Sequence, residues 1–112
     1  MSRPSAAARD PSPASVFAAL GDRTRLALLM KLSDGRTQSI ARLSADTRLT
    51  RQAVTKHLHV LERAGLVSSI RVGRESRFAY HPEPVAAART YLDMVAAHWD
   101  GALSRLRAMV EE

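Results

Sequence analysis

Along the chain, apolar positions form four short runs with a helical period, one stretch that alternates, and one long helical run at the end. Ser12 can cap a helix that opens on Pro13, where a missing N–H costs nothing. Val16, Phe17 and Leu20 share a face of it, and Gly21 stops it. Asp22 caps a second helix, Arg23 to Leu32, with Leu26, Leu29 and Met30 as the expected inner face; Ser33-Asp34-Gly35 ends it. A third, about Ser39 to Asp46, turns Ile40 and Leu43 inward. After Thr47-Arg48-Leu49, Thr50 caps a longer helix, Arg51 to Ala64, whose Ala53, Val54, Leu58 and Leu61 keep a helical period over two turns. Gly65 then suits a left-handed cap.

The period changes at Leu66. Leu66 to Val72 is β-branched and loosely alternating, Gly73-Arg74-Glu75-Ser76 reads as a turn, and Arg77 to Tyr80 alternates again, which predicts a two-stranded hairpin. His81-Pro82-Glu83-Pro84 breaks it. From Val85 onward apolar side chains recur at Ala88, Leu92, Val95, Trp99, Ala102, Leu106 and Met109, in steps of three and four. That is a heptad seam. A helix over about 85–110 is nearly 40 Å long at about 1.5 Å per residue, too long for so small a core to cover. The seam (Val85, Ala88, Leu92, Val95, Trp99, Leu106), together with Phe17 of the first helix, is therefore expected to pair with a second copy of the chain. The fold class predicted is mainly α with a small β-hairpin wing, in the order α-α-α-α-β-β-α, and dimeric.

Length and composition narrow this. At 112 residues the chain makes one domain, expected over 13–112, with the Ser/Pro/Ala/Arg-rich residues 1–12 a disordered tail. Nineteen alanines favour helix, and the absence of cysteine removes disulfides, thiolate metal sites and thiol redox switches. No apolar run approaches the roughly 18 residues of a membrane span, and Met1 to Ser5 offers no secretory signal, so a cytoplasmic protein is expected.

The net charge of +6 sits in the middle of the chain: residues 36–77 hold nine basic side chains against three acidic, and eight of the nine are arginine. Arginine forks onto phosphate and guanine. A helix, a tight connection and a second capped helix make a helix-turn-helix by pattern, so double-stranded DNA is the expected partner. With Val54, Leu58 and Leu61 committed inward, Arg51, Gln52, Thr55 and Lys56 are the candidate base and phosphate contacts, with His57 beside them. Arg74 and Arg77 of the wing are expected to reach flanking backbone or minor groove. An enzyme would need a nucleophile–base pair, paired carboxylates or a glycine-rich phosphate loop, and the sequence has none. A winged helix used for protein contacts would expose apolar side chains where this one offers Arg51, Gln52, Thr55 and Lys56. A membrane-surface role would want a basic amphipathic helix, and the best stripe here lies on the acidic last helix.

The stretch Leu20-Gly21-Asp22-Arg23-Thr24-Arg25-Leu26-Ala27-Leu28-Leu29, the block Thr50 to Val67 (TRQAVTKHLHVLERAGLV), then Val72-Gly73-Arg74 and Tyr80, resemble the ArsR/SmtB family of small bacterial winged-helix repressors. The resemblance covers about residues 14–110. It implies a homodimer closed by the first and last helices, and a repressor of an inverted-repeat operator, commonly of its own operon. In many members it also implies sensing by metal or thiol. Here the sequence departs from the sensors. Where the arsenic sensors look like Cys-Val-Cys-Asp-Leu, this chain has Ser39-Ile40-Ala41-Arg42-Leu43. Where the zinc-type site begins Asp-x-His, it has Asp93-Met94-Val95. It looks most like a subgroup without metal sites, so no metal or cofactor is expected, and a small-molecule effector is left open. Of the histidines, His57 and His59 lie too far apart around the helix to chelate one ion. His59 is expected to face elsewhere than the DNA, and His81 to be structural. The alternative is a metal-responsive repressor with an intersubunit site joining His98 and Asp100 to Glu111 or Glu112.

Overall fold

A computed structural model describes residues 9–111. Its elements are α1 (Pro13–Leu20), α2 (Arg23–Leu32), β1 (Gln38–Ser39), α3 (Ile40–Ser44), α4 (Arg51–Arg63), β2 (Val67–Val72), β3 (Glu75–Tyr80) and α5 (Glu83–Glu111). The disordered tail expected over residues 1–12 lies, for residues 1–8, outside the described part. Residues 9–12 are tied down: the Asp10 amide donates to the Arg63 carbonyl at 2.6 Å, and Asp10 Oδ1 accepts from the Ser12 amide at 3.0 Å.

Each of the first four helices starts on a side-chain oxygen that accepts an amide left open by the first turn. Ser12 accepts from Ser15, Asp22 from Arg25, Ser39 from Arg42 and Thr50 from Ala53, at 3.0 to 3.3 Å. α4 ends in a Schellman motif. Gly65 takes φ +76°, its amide donates to Glu62 O, and the Leu66 amide reaches back to Leu61 O. This sharp stop turns the chain straight into β2.

Two inner faces differ from the sequence expectation. On α2, Leu28, Leu29 and Leu32 are buried, whereas Leu26 and Met30 are exposed, at 46% and 72%. The roll is set by Arg25, whose Nε donates to Ala19 O at 2.6 Å and Nη2 to Ala18 O at 3.3 Å. With residue 25 turned inward, its i+3, i+4 and i+7 neighbours follow. On α3, Leu43 is buried but Ile40 only half so, and the helix stops at Ser44 rather than Asp46.

The hairpin forms, with a third strand that the sequence pattern did not reveal. β3 is central, antiparallel to β2 on one side and to the two-residue β1 on the other. Val72 pairs with Glu75, so the turn is Gly73-Arg74 alone, and Glu75 and Ser76 belong to the strand. Gly73 holds φ +62°, as the first central residue of a two-residue hairpin turn of this hand requires.

One core joins the elements: Val16 of α1, Leu28 and Leu32 of α2, Leu43 of α3, Val54, Leu58 and Leu61 of α4, Leu66, Val67 and Phe78. α5 contributes Ala88, with Val85 packed alongside. The helix begins at Glu83, two residues earlier than expected; Pro84 sits in its first turn, where no N–H is needed. α5 then leaves the domain. The radius of gyration is 18.4 Å, against about 13 Å for a compact chain of this length, and the long axis is 69 Å.

Candidate nucleic-acid interface

α4 carries the candidate reading face. Val54, Leu58 and Leu61 fix its inner side, which leaves Arg51, Gln52 and Lys56 exposed and Thr55 half-exposed on the outer side. The Thr55 hydroxyl donates to Arg51 O at 2.7 Å. These four side chains, with Ile40 of α3 and His59, line one cleft of about 520 Å³. Arg51 and Lys56 form no ion pair among the described residues, so both cations are open to a phosphate or a base edge.

The two histidines of α4 exchange the places expected for them. His57 is turned inward: its Nδ1 lies 3.3 Å from Arg25 Nη1 and 3.8 Å from Asp22 Oδ2. Its ring therefore ties α4 to the start of α2 and is not among the open side chains of the reading face. His59 is exposed beside Thr55 and Lys56. The signal was in the spacing. At about 100° per residue, position 59 falls about 20° from Gln52 around the helix, and position 57 about 140° away.

Asp22 anchors this junction. Its carboxyl is held below the usual aspartate range, first by the hydrogen bond from the Arg25 amide; burial opposes this, and the charges of Arg25 and His57 and the Thr24 amide add to it.

On the wing, Arg74 stands exposed in the turn and Arg71 is exposed on β2. Arg77 was expected beside Arg74 at the tip. The register instead puts it mid-strand, opposite Ile70 on one side and Ser39 on the other. Its Nη2 donates to Thr37 O at 3.1 Å, and its Nη1 lies 3.4 Å from Glu75 Oε1. Arg77 therefore fastens β3 to the segment before β1, while Arg74 and Arg71 are the cations the wing offers outward.

α5 carries the second open surface. Of the seam positions, Ala88 is buried and Val85 half-buried in the chain's own core, so these two are not free for a partner. Phe17 is half-buried against Tyr91, with ring centroids 6.2 Å apart. Beyond this pair the seam opens: Leu92 is 52% exposed, Trp99 62% and Leu106 55%, and Val95 is half-buried. Tyr91, Met94, Leu103, Met109 and Val110 are also exposed.

Among the described residues no three His, Asp or Glu side chains stand together as a metal site would require, and no helix is long and apolar enough to cross a membrane.

The segment Asp22 to Ser69, from the α2 cap through the recognition helix into the wing, matches the bacterial regulatory proteins of the arsR family. The HTH-type transcriptional regulator YuzN of Bacillus subtilis is 40% identical over 77 residues, which are 63% of this chain and 84% of that protein. The chain belongs to the arsR family. It is a DNA-binding transcriptional regulator with the winged helix-turn-helix fold. An ArsR-like transcriptional regulator from Rhodococcus sp. RHA1 superposes with a TM-score of 0.75 at 38% identity, over 87% of this chain and 91% of that one. A homodimeric winged helix-turn-helix DNA-binding domain from Mycobacterium bovis gives a TM-score of 0.61 at 27% identity, over 87% and 88%. In this ArsR-family chain the matched segment contains the whole reading face on α4, and α5 lies beyond it.

Proposed function

We propose that this ArsR-family regulator is a homodimeric repressor that binds an inverted-repeat operator and has no catalytic role of its own. The carrying observation is the apolar stripe of α5, Leu92 through Trp99 to Leu106, left open beyond the domain that bears the reading face. Water in contact with so many large apolar side chains costs about 25 cal/mol per Å². A second copy of the same helix supplies a self-complementary cover by two-fold symmetry. The relative from Mycobacterium bovis, described as homodimeric, supports a dimer.

In this reading α4 enters the major groove with its N-terminal half. Gln52 forks onto an adenine, and Arg51 onto guanine or phosphate. Lys56, Thr55 and His59 border the same groove, and Arg74 with Arg71 takes the flanking backbone. His57 and Arg77 act as positioning residues, the one holding α4 against α2 and the other holding the wing against β1. A dimer seated on a promoter would exclude polymerase. Selection of bound sequences from random duplex DNA tests this reading. The expected product is an inverted repeat whose half-sites are centred about one helical turn apart. Enrichment of a single unrepeated site, or of none, would contradict it.

A further inference from the structure

Glu62 is the one charged residue of the described chain that is buried, at 8% exposure. It lies near the end of α4, two turns beyond Thr55 and about 20° from it around the helix, where Ser69 of β2 reaches its carboxylate. Both of its partners among the described residues sit on one oxygen. Ser69 Oγ donates to Oε2 at 3.3 Å, and Arg9 Nη2 stands 3.9 Å from the same oxygen, beyond hydrogen-bonding range. Oε1 accepts no hydrogen bond from the described residues. An ionised carboxylate has about four acceptor sites, so this one can take further donors from the side that Oε1 faces.

Glu62 lines a polar hollow of about 590 Å³ whose wall includes Ser68, Ser69, Ser76 and Arg71. A second hollow of about 470 Å³ shares Arg9 and His81 with it, and is otherwise lined by Pro11, Gly65, Pro84 and Ala87 with Glu83. His81 is fixed at the junction by a 2.7 Å contact between its Nε2 and Ser68 Oγ. The two hollows thus give a carboxylate and hydroxyls at one end and an apolar shelf at the other. Among the described residues the one cation within 4.0 Å of Glu62 belongs to Arg9; Arg71 lines the same hollow further off.

We propose that this paired hollow is a ligand site for a small amphipathic amine. Its ammonium would displace Arg9 from Glu62, and its apolar body would lie over Pro11, Pro84 and Ala87. A primary ammonium has three donors on a compact head, enough to reach both carboxylate oxygens and the Ser69 hydroxyl. Arg9 is the chain's own occupant, at ion-pair distance but too far off to hydrogen-bond. Such a ligand would touch the end of α4, the base of the wing and the start of α5 together, which is where one small molecule can bias both the reading helices and the dimer.

The test is a titration of the isotope-labelled full chain, without DNA, with 2-phenylethylamine, followed by amide shifts of Gly65, Ser69 and His81. The neutral 2-phenylethanol and the anionic phenylacetate serve as matched controls. Saturable shifts are expected with the amine, at least tenfold weaker with the alcohol, and absent with the carboxylate. Arg9→Ala removes the competitor and should tighten the amine at least threefold; Glu62→Gln should abolish its binding. Arg9 is partly exposed, so its variant keeps the test decisive even if Glu62→Gln does not fold. Phenylacetate binding as well as the amine, or Arg9→Ala failing to tighten it, would overturn the proposal.

Discussion

In the proposed reading, Gln52 and Arg74 divide the labour that any DNA-binding surface must divide, base against phosphate. Gln52→Ala removes a bidentate amide from the reading face. It is expected to cost about 1–3 kcal/mol on the specific site and to relax preference at one base pair. Arg74→Ala removes an exposed cation at the wing turn. It should weaken all sequences alike and lower the salt slope by about 1. Gel-shift titrations of both variants on specific and scrambled duplexes at several salt concentrations separate the two effects. Asp22 makes a different prediction. Its folded carboxyl is held low, chiefly by the Arg25 amide, so its stabilisation is present above the ordinary aspartate range and fades as pH falls through the lowered value. Asp22→Asn keeps a good cap but no titrating charge. Thermal melts between pH 5 and 3 should therefore fall less steeply for the variant than for the wild type. That Arg51, Gln52, Lys56 and Arg74 stand exposed, with Thr55 beside them, was legible from the sequence because it follows directly from which side of a periodic helix is apolar and where a turn must fall. Arg77 and His57 were not, because their partners (Thr37 O, Glu75, Arg25) come from register and from helix roll. Buried Glu62 carried no signal at all: its acceptance depends on Ser69 and Arg9 arriving from two other segments.

At the scale of elements, caps and stops were plain in the chain. Ser12, Asp22 and Thr50 start the helices they were expected to start, and Gly65 ends α4. β1 was not legible, since two residues carry no alternation and the strand exists only because β3 offers an edge. The roll of α2 was ambiguous because its apolar residues fill two overlapping stripes that share Leu29; Arg25 decides between them. α5 was read as one continuous seam, yet its first turns belong to the domain and the remainder to whatever covers it. That division gives the prediction for this element. Leu92→Glu, at the first fully open seam position, places a carboxylate where a partner helix would bury it. The variant should remain folded by circular dichroism, because Leu92 is not part of the core. By sedimentation at micromolar concentration it should be a monomer. A variant that still sediments as a dimer would place the interface elsewhere.

For the whole molecule, shape and charge argue together. A domain with its basic reading face on α4 and wing carries a helix that extends well past its own core. Pairing two such helices about a two-fold axis would set the reading helices on successive turns of one face of the duplex, about 34–36 Å apart. Linking two half-site contacts in one particle raises affinity through effective concentration rather than through new contacts, so loss of the dimer should harm specific binding more than loss of any one side chain. The most direct measurement is the stoichiometry of the complex, by sedimentation equilibrium of the wild-type chain with a duplex carrying the selected site. Two chains per duplex are expected, falling to weak single occupancy when one half-site is scrambled. One chain per duplex on the intact site, with the free protein a monomer at micromolar concentration, would contradict the account.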